Sequence, residues 1–170
     1  MRTKKITRKR SLAWVAVSGG FDPLHIGHTR LFKEARALGD RLVVILNNDN
    51  WLRMKKKYVF MPEKERVELL RAFPFVDKVV LTSHARVDKD MSVCGELLRI
   101  KPAIFANGGD RKYTTDIPEA ALCEKLGIAM IFNVGRGGKV QSSSWMIEAA
   151  SRAIARLTKV SNNEKRKSRR

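Results

Sequence analysis

Ten consecutive residues near the start of the chain have the types and spacing needed to bind phosphate groups. Positions 19–28 read GGFDPLHIGH and lie between an apolar run and a stretch with helical spacing. Glycines allow a backbone to approach a polyphosphate, a helix N-terminus offers unpaired N–H groups, and imidazoles add donors that can carry charge. Taken alone, either His25 or His28 would more often be a structural residue than a ligand-binding one. Together at this turn they predict a nucleoside triphosphate site.

The elements around this turn alternate between strands and helices. The apolar pattern predicts strands at 12–17, 41–46, 76–81, 103–106 and 128–132. It predicts helices from 29 to about 38, 62–72, 92–100, 117–126 and from 143 or 144 to about 157. Strands joined through helices require crossover connections, which give a parallel sheet covered on both faces.

We therefore predict an α/β, doubly wound, five-stranded parallel sheet (Rossmann-like) with strand order 3-2-1-4-5 and helices on both faces. Ligands bind beyond the carboxyl ends of such strands, where the strand order reverses. The glycine-rich turns at 18–20 and 106–111 follow the first and fourth strands, so we expect them to wall one cleft.

Length and charge limit the number of domains. The 170 residues suit one domain, and two polar arms supply +6 and +4 of the formal net charge of +18, while the span between them keeps +8 and is itself basic. We expect a basic disordered arm at 1–10, a single folded domain at 11–160 and a basic disordered tail at 161–170. The simplest interpretation of the two arms is that they keep the protein in solution. They contain no motif typical of nucleic-acid binding.

Two further features bear on the compartment. The apolar run at 12–17 is too short for a signal-peptide core or a membrane span, so we expect a cytoplasmic protein. Cys94 and Cys123 have neither disulfide nor zinc-ligand spacing, which predicts reduced thiols.

The motif His25-x-Gly27-His28, after Gly19 and Gly20 at a strand end, resembles the signature of the cytidylyltransferase-like nucleotidyltransferase superfamily. Further similar blocks lie at 39–49, 55–66, 76–80, 101–110 and 142–147. Within the superfamily, the chain is most similar to glycerol-3-phosphate cytidylyltransferases and bacterial heptose-phosphate adenylyltransferases.

The resemblance implies roles for individual residues. Catalysis is assigned to His25, His28 and Lys57. Nucleotide binding is assigned to Gly19, Gly20, Phe21, Asp22, Gly27, His28, Gly109, Asp110, Ser142, Ser143 and Ser144, and acceptor binding to Lys55, Arg66 and Arg111. Two positions depart from the family pattern. Arg111 replaces an aromatic residue, and either Arg136 or Lys139 takes the place of an arginine that precedes the serines.

These observations predict an enzyme that transfers CMP or AMP from CTP or ATP to a phosphorylated small alcohol, such as a sugar phosphate or glycerol phosphate, and releases pyrophosphate. Mg²⁺ is expected to bind chiefly through the triphosphate, without a metal site made by the protein. The resemblance also implies a homodimer. Two alternatives stay open: a flavin- or pantetheine-type adenylyltransferase, which needs a long apolar acceptor groove, and a non-catalytic module that binds nucleotide or nucleic acid.

Overall fold

The computed structural model describes residues 12–108, 117–135 and 142–167. Over these residues the chain alternates between strands and helices in the order β1 Trp14–Gly19, α1 Ile26–Ala37, β2 Arg41–Leu46, α2 Asp49–Lys56, α3 Glu63–Arg71, β3 Lys78–Leu81, α4 Cys94–Ile100, β4 Ile104–Gly108, α5 Ala120–Leu126, β5 Ala129–Val134 and α6 Ser143–Lys167.

The strands form one parallel sheet of order β3-β2-β1-β4-β5. The predicted fold class and strand order are therefore confirmed. β1 is central and pairs with β2 from Trp14 opposite Arg41 to Gly19 opposite Leu46. The carboxyl ends of β1 and β2 consequently reach the same edge of the sheet, where we expect ligands to bind.

Side chains alternate between two cores on opposite faces of the sheet. Val15 and Val17 of β1 belong to the first core, together with residues of α1 and α3 such as Phe32 and Leu70. Ala16 belongs to the second core, which contains residues of α4 and α5 such as Leu97 and Cys123. Both faces are covered because continuous apolar strands of this kind must bury both sides.

The structure moves several predicted boundaries. α1 begins at Ile26 rather than 29, because His25 caps it. α5 begins at Ala120 rather than 117, and Ile117 instead packs in the second core. β1 begins at Trp14 rather than 12, since Leu12 is exposed.

Two larger differences concern helices. α2 was not predicted, although Asn48 caps it by accepting a hydrogen bond from the Trp51 N–H at 2.9 Å. α6 continues to Lys167 rather than ending near 157, so it includes most of the tail predicted to be disordered. The predicted arm at 1–10 lies outside the described residues. Among the described helices, none has the combined length and apolar character needed to cross a membrane.

Candidate functional site

The turn after β1 is shaped by a few tightly packed residues. Phe21 adopts a left-handed conformation (φ 49°), and its buried ring contacts His28 edge-on, with ring centroids 4.9 Å apart. Phe21 also packs edge-on against Phe32 of α1 at 5.2 Å. The aromatic packing ties the position of His28 to the first core.

The two histidines form a reciprocal cap at the start of α1. His25 Nδ1 accepts a hydrogen bond from the Gly27 N–H at 3.2 Å, and His28 Nδ1 accepts one from the His25 N–H at 3.3 Å. Their rings stack with centroids 3.7 Å apart. A methyl group at Gly27 would lie 3.0 Å from the His25 ring, which explains the glycine between the histidines.

This cap determines the tautomer of both imidazoles. Because each Nδ1 accepts a backbone N–H, the proton of each neutral ring resides on Nε2. Burial is the main cause that lowers the pKa of His28 to about 3, with further lowering from His25 and Lys56. Burial and then Lys56 lower the pKa of His25 as well. At neutral pH both rings are therefore neutral and present Nε2–H donors, rather than the positive charges that imidazoles can carry.

Lys56, the last residue of α2, reaches the same site. Its ammonium donates a hydrogen bond to the Asp22 carbonyl at 2.9 Å. Burial lowers the pKa of Lys56, Asp22 opposes this shift and Arg66 adds to it. Sequence reasoning missed Lys56 and assigned its neighbours Lys55 and Lys57, both of which the structure leaves exposed.

The Asp22 carboxylate holds the segment that follows α2. It is fully buried and accepts hydrogen bonds from the backbone N–H groups of Phe60 at 2.8 Å and Met61 at 2.7 Å. Both carboxylate oxygens of Asp22 therefore accept hydrogen bonds from the protein backbone. Asp22 holds the segment at 60–61 against the turn after β1.

Arg66 differs from its predicted role. Its side chain is 0% exposed, and its guanidinium donates to the carbonyls of Gly20, Asn47 and Met61 at 2.6, 2.8 and 2.9 Å. It also forms an ion pair with Asp49 at 2.7 Å. This placement disagrees with the predicted contact to an acceptor phosphate, because every guanidinium nitrogen already has a protein partner. We correct the prediction: Arg66 joins the turn after β1 to the segments after β2 and α2.

The serines at the start of α6 lie beside the same turn. Ser143 is buried and its hydroxyl donates to the Pro23 carbonyl at 2.9 Å, whereas Ser144 is exposed. The Ser142 carbonyl accepts the Met146 N–H at 3.1 Å in the first turn of α6. The N-terminus of α6 therefore lies against the turn that leads from β1 to the histidines.

The structure thus brings together the turn 19–22, both histidines and the serine block. The predicted residues Gly109, Asp110 and Arg111 lie outside the described residues, as do Arg136 and Lys139.

Together, the doubly wound sheet and the polar turn at its carboxyl edge define a Rossmann-like α/β domain with its candidate site where ligands bind in such folds. A family model described as cytidylyltransferase-like matches residues 16–131. The FAD synthase of Thermococcus kodakarensis is 38% identical over 119 residues, covering 69% of this chain and 71% of that protein. The FAD synthase of Methanohalobium evestigatum is 35% identical over 128 residues, covering 75% and 80%.

A solved structure, a lipopolysaccharide core biosynthesis protein from Thermoplasma volcanium, matches with a TM-score of 0.61 and 27% identity, covering 75% of this chain and 100% of that one. The chain belongs to the cytidylyltransferase-like family. It is a nucleotidyltransferase, as the sequence predicted.

Proposed function

We propose that this chain is an FAD synthase that transfers AMP from ATP to the phosphate of FMN. The observation that carries the proposal is its similarity, at 34–40% identity, to FAD synthases from several archaea. These relatives support the flavin-type alternative better than the predicted sugar- or glycerol-phosphate acceptor.

The reaction requires no protein nucleophile. An oxygen of the FMN phosphate attacks the α-phosphorus of ATP, a new P–O bond forms, and the bond from the α-phosphorus to the bridging oxygen breaks. That oxygen leaves with its electron pair as part of pyrophosphate. Because the FMN phosphate is already ionised at neutral pH, catalysis depends on positioning and on stabilising negative charge.

The described residues can supply that stabilisation. The Nε2–H groups of His25 and His28 would donate to oxygens between the α- and β-phosphates, and the Lys56 ammonium would balance the charge that builds there. Neutral donors suit this task, because they need not exchange protons during the reaction and are held rigidly by the cap. The serines at 142–144 and the N-terminus of α6 would hold the β- and γ-phosphates.

The remaining assignments from the sequence stay proposals. Gly109 and Asp110 would bind the nucleotide, and Arg111 and Lys55 the acceptor, with Lys57 supplying a further positive charge. Mg²⁺ would neutralise the triphosphate charge. Among the described residues no cluster of three or more histidines, cysteines or carboxylates has the spacing of a metal site. Mg²⁺ bound chiefly through ATP would keep several water ligands, as this ion commonly does in proteins.

A second candidate acceptor is a sugar phosphate, since the solved structure of the lipopolysaccharide core biosynthesis protein resembles this one. The test is a matrix of ATP and CTP against FMN, glycerol 3-phosphate and a heptose phosphate, with pyrophosphate and the nucleotidyl product both measured. We expect stoichiometric FAD and pyrophosphate from ATP and FMN. Pyrophosphate release with a sugar phosphate and none with FMN would overturn the proposal.

A further inference from the structure

The carboxyl edge of the sheet has two sides with different chemistry. On the side of the first core lie α1 with its histidines, the Lys56 ammonium that influences both of them, and the start of α6. On the side of the second core lies the segment 82–93, which leads from β3 into α4.

Trp51 of α2 is held between these two sides. Its indole N–H donates to the Met91 carbonyl at 2.9 Å, and its backbone N–H donates to Asn48 Oδ1 at 2.9 Å. A methyl group added at Gly20 would lie 3.7 Å from Cζ3 of the indole. The six-membered ring of Trp51 therefore lies beside the turn that leads to the histidines. Trp51 as a whole is partly exposed.

The segment that anchors the indole is itself well fixed. The His84 carbonyl accepts hydrogen bonds from the side-chain amides of Asn48 at 2.8 Å and Asn50 at 3.0 Å. The buried His84 ring contacts Thr82 Oγ1 at 2.8 Å and the Ser92 carbonyl at 3.0 Å. Trp51 is thus a pre-positioned aromatic surface, which costs little conformational entropy when a ligand binds.

The direction of the reaction determines which substrate meets this surface. In-line displacement places the attacking and leaving oxygens on opposite sides of the α-phosphorus. With the phosphates bound as proposed above, pyrophosphate would depart toward the histidines, Lys56 and the start of α6, which supply hydrogen-bond donors and positive charge. The acceptor would then approach from the opposite side, and Trp51, which contacts both the turn at Gly20 and the segment 82–93, borders that path.

We propose that Trp51 stacks against the isoalloxazine ring of FMN and so determines acceptor specificity. This inference rests on the proposed function. A planar fused ring gains stacking energy on an indole, whereas a glycerol or sugar acceptor presents no such face. The aromatic surface supplies one wall of the apolar acceptor site that a flavin-type enzyme needs.

The experiment compares Trp51→Leu and Trp51→Phe with a matched control, Trp14→Leu, at the opposite end of β1. Trp51→Leu keeps apolar bulk without an aromatic face, so we expect the KM for FMN and the Kd for riboflavin to rise about tenfold. Trp51→Phe, which retains a ring, should stay within about threefold of the wild type on both measures. The KM for ATP should not change in either variant, and Trp14→Leu should leave all three values unchanged.

The outcomes separate the two proposals. If the wild type makes no FAD from ATP and FMN, the proposed function fails. If FAD forms but Trp51→Leu binds riboflavin and FMN as tightly as the wild type, only the role of Trp51 is overturned. Should Trp51→Leu fail to fold, Trp51→Met offers a flexible apolar side chain for the same comparison with Trp51→Phe.

Discussion

The Lys56 ammonium donates a hydrogen bond to the Asp22 carbonyl at 2.9 Å, which attaches the end of α2 directly to the turn after β1. The same turn binds the following segment through the Asp22 carboxylate, which accepts the N–H groups of Phe60 and Met61. The lysine is therefore fixed to the turn that leads directly into the histidine cap, and the turn and the cap form one structural unit. Such a unit can present its donors to phosphate without rearranging during the reaction.

A scan of the three consecutive lysines tests which one serves the reaction. We expect Lys56→Ala to lower kcat about 100-fold, because it removes a half-buried charge beside both histidines. Lys55→Ala and Lys57→Ala should cause much smaller losses, since both side chains are exposed. Steady-state kinetics with ATP and FMN provide the measurement. A large loss confined to Lys57→Ala would instead support the assignment made from the sequence.

Arg66 offers a test of a buried guanidinium that acts through backbone carbonyls. Arg66→Lys cannot reproduce the planar fork, so we expect the free energy of unfolding to fall by about 2 kcal/mol. Because the whole turn loosens, kcat should fall and the KM values for both substrates should rise together. Urea unfolding and two saturation curves measure these effects.

The matched control for Arg66 is Arg71→Lys, an exposed position on the same helix, which should change stability by less than about 0.5 kcal/mol. A folded Arg66→Lys protein in which only the acceptor KM rises would instead support the predicted contact between Arg66 and the acceptor phosphate.

The fold was largely predictable because its strands carry their own signal. β2 coincides with the predicted 41–46, since a continuous apolar run bounded by turn residues is typical of a parallel strand buried on both faces. α2 was missed because it has eight residues, carries three basic residues in its last turn and buries only Leu52. The signal available was Asn48 followed by Asp49, a common helix start.

That missed helix also explains why the sequence does not single out Lys56 among the three lysines. If no helix is predicted at 49–56, nothing in the sequence distinguishes one of the three consecutive lysines from the other two. Within α2, Leu52 and Lys56 are four residues apart and share the inward face, which singles out Lys56. Arg66 could not be assigned from the sequence, because its partner carbonyls at Gly20 and Asn47 come from distant positions that only the fold brings together.

The low pKa of His28 predicts a dependence of stability on pH. The folded value is about 3 and the unfolded value is 6.5. Below pH 6.5 the unfolded chain therefore binds a proton that the folded chain does not, and stability falls as the pH falls. Between pH 7 and pH 5 this one group should cost about 2 kcal/mol.

Urea unfolding of the wild type and of His28→Asn at both pH values measures that cost. The variant lacks the titrating ring, so its loss of stability over this range should be smaller by that amount. Equal losses in the two proteins would show that His28 titrates normally in the folded state.

The final prediction concerns the donor that His28 presents to the reacting phosphate. His28→Ala should raise the activation free energy by roughly 3–4 kcal/mol and lower kcat accordingly. The Kd for ATP should change only a few-fold. The reason is that a fixed Nε2–H interacts most strongly with charge that develops as the bridging bond breaks. His28→Asn serves as the comparison, since its side-chain oxygen can still accept the His25 N–H and preserve the cap. If only the cap mattered, His28→Asn would recover activity. We expect it to stay nearly as slow as His28→Ala, with calorimetric ATP binding close to that of the wild type, because neither variant can place a donor where the imidazole Nε2–H lies.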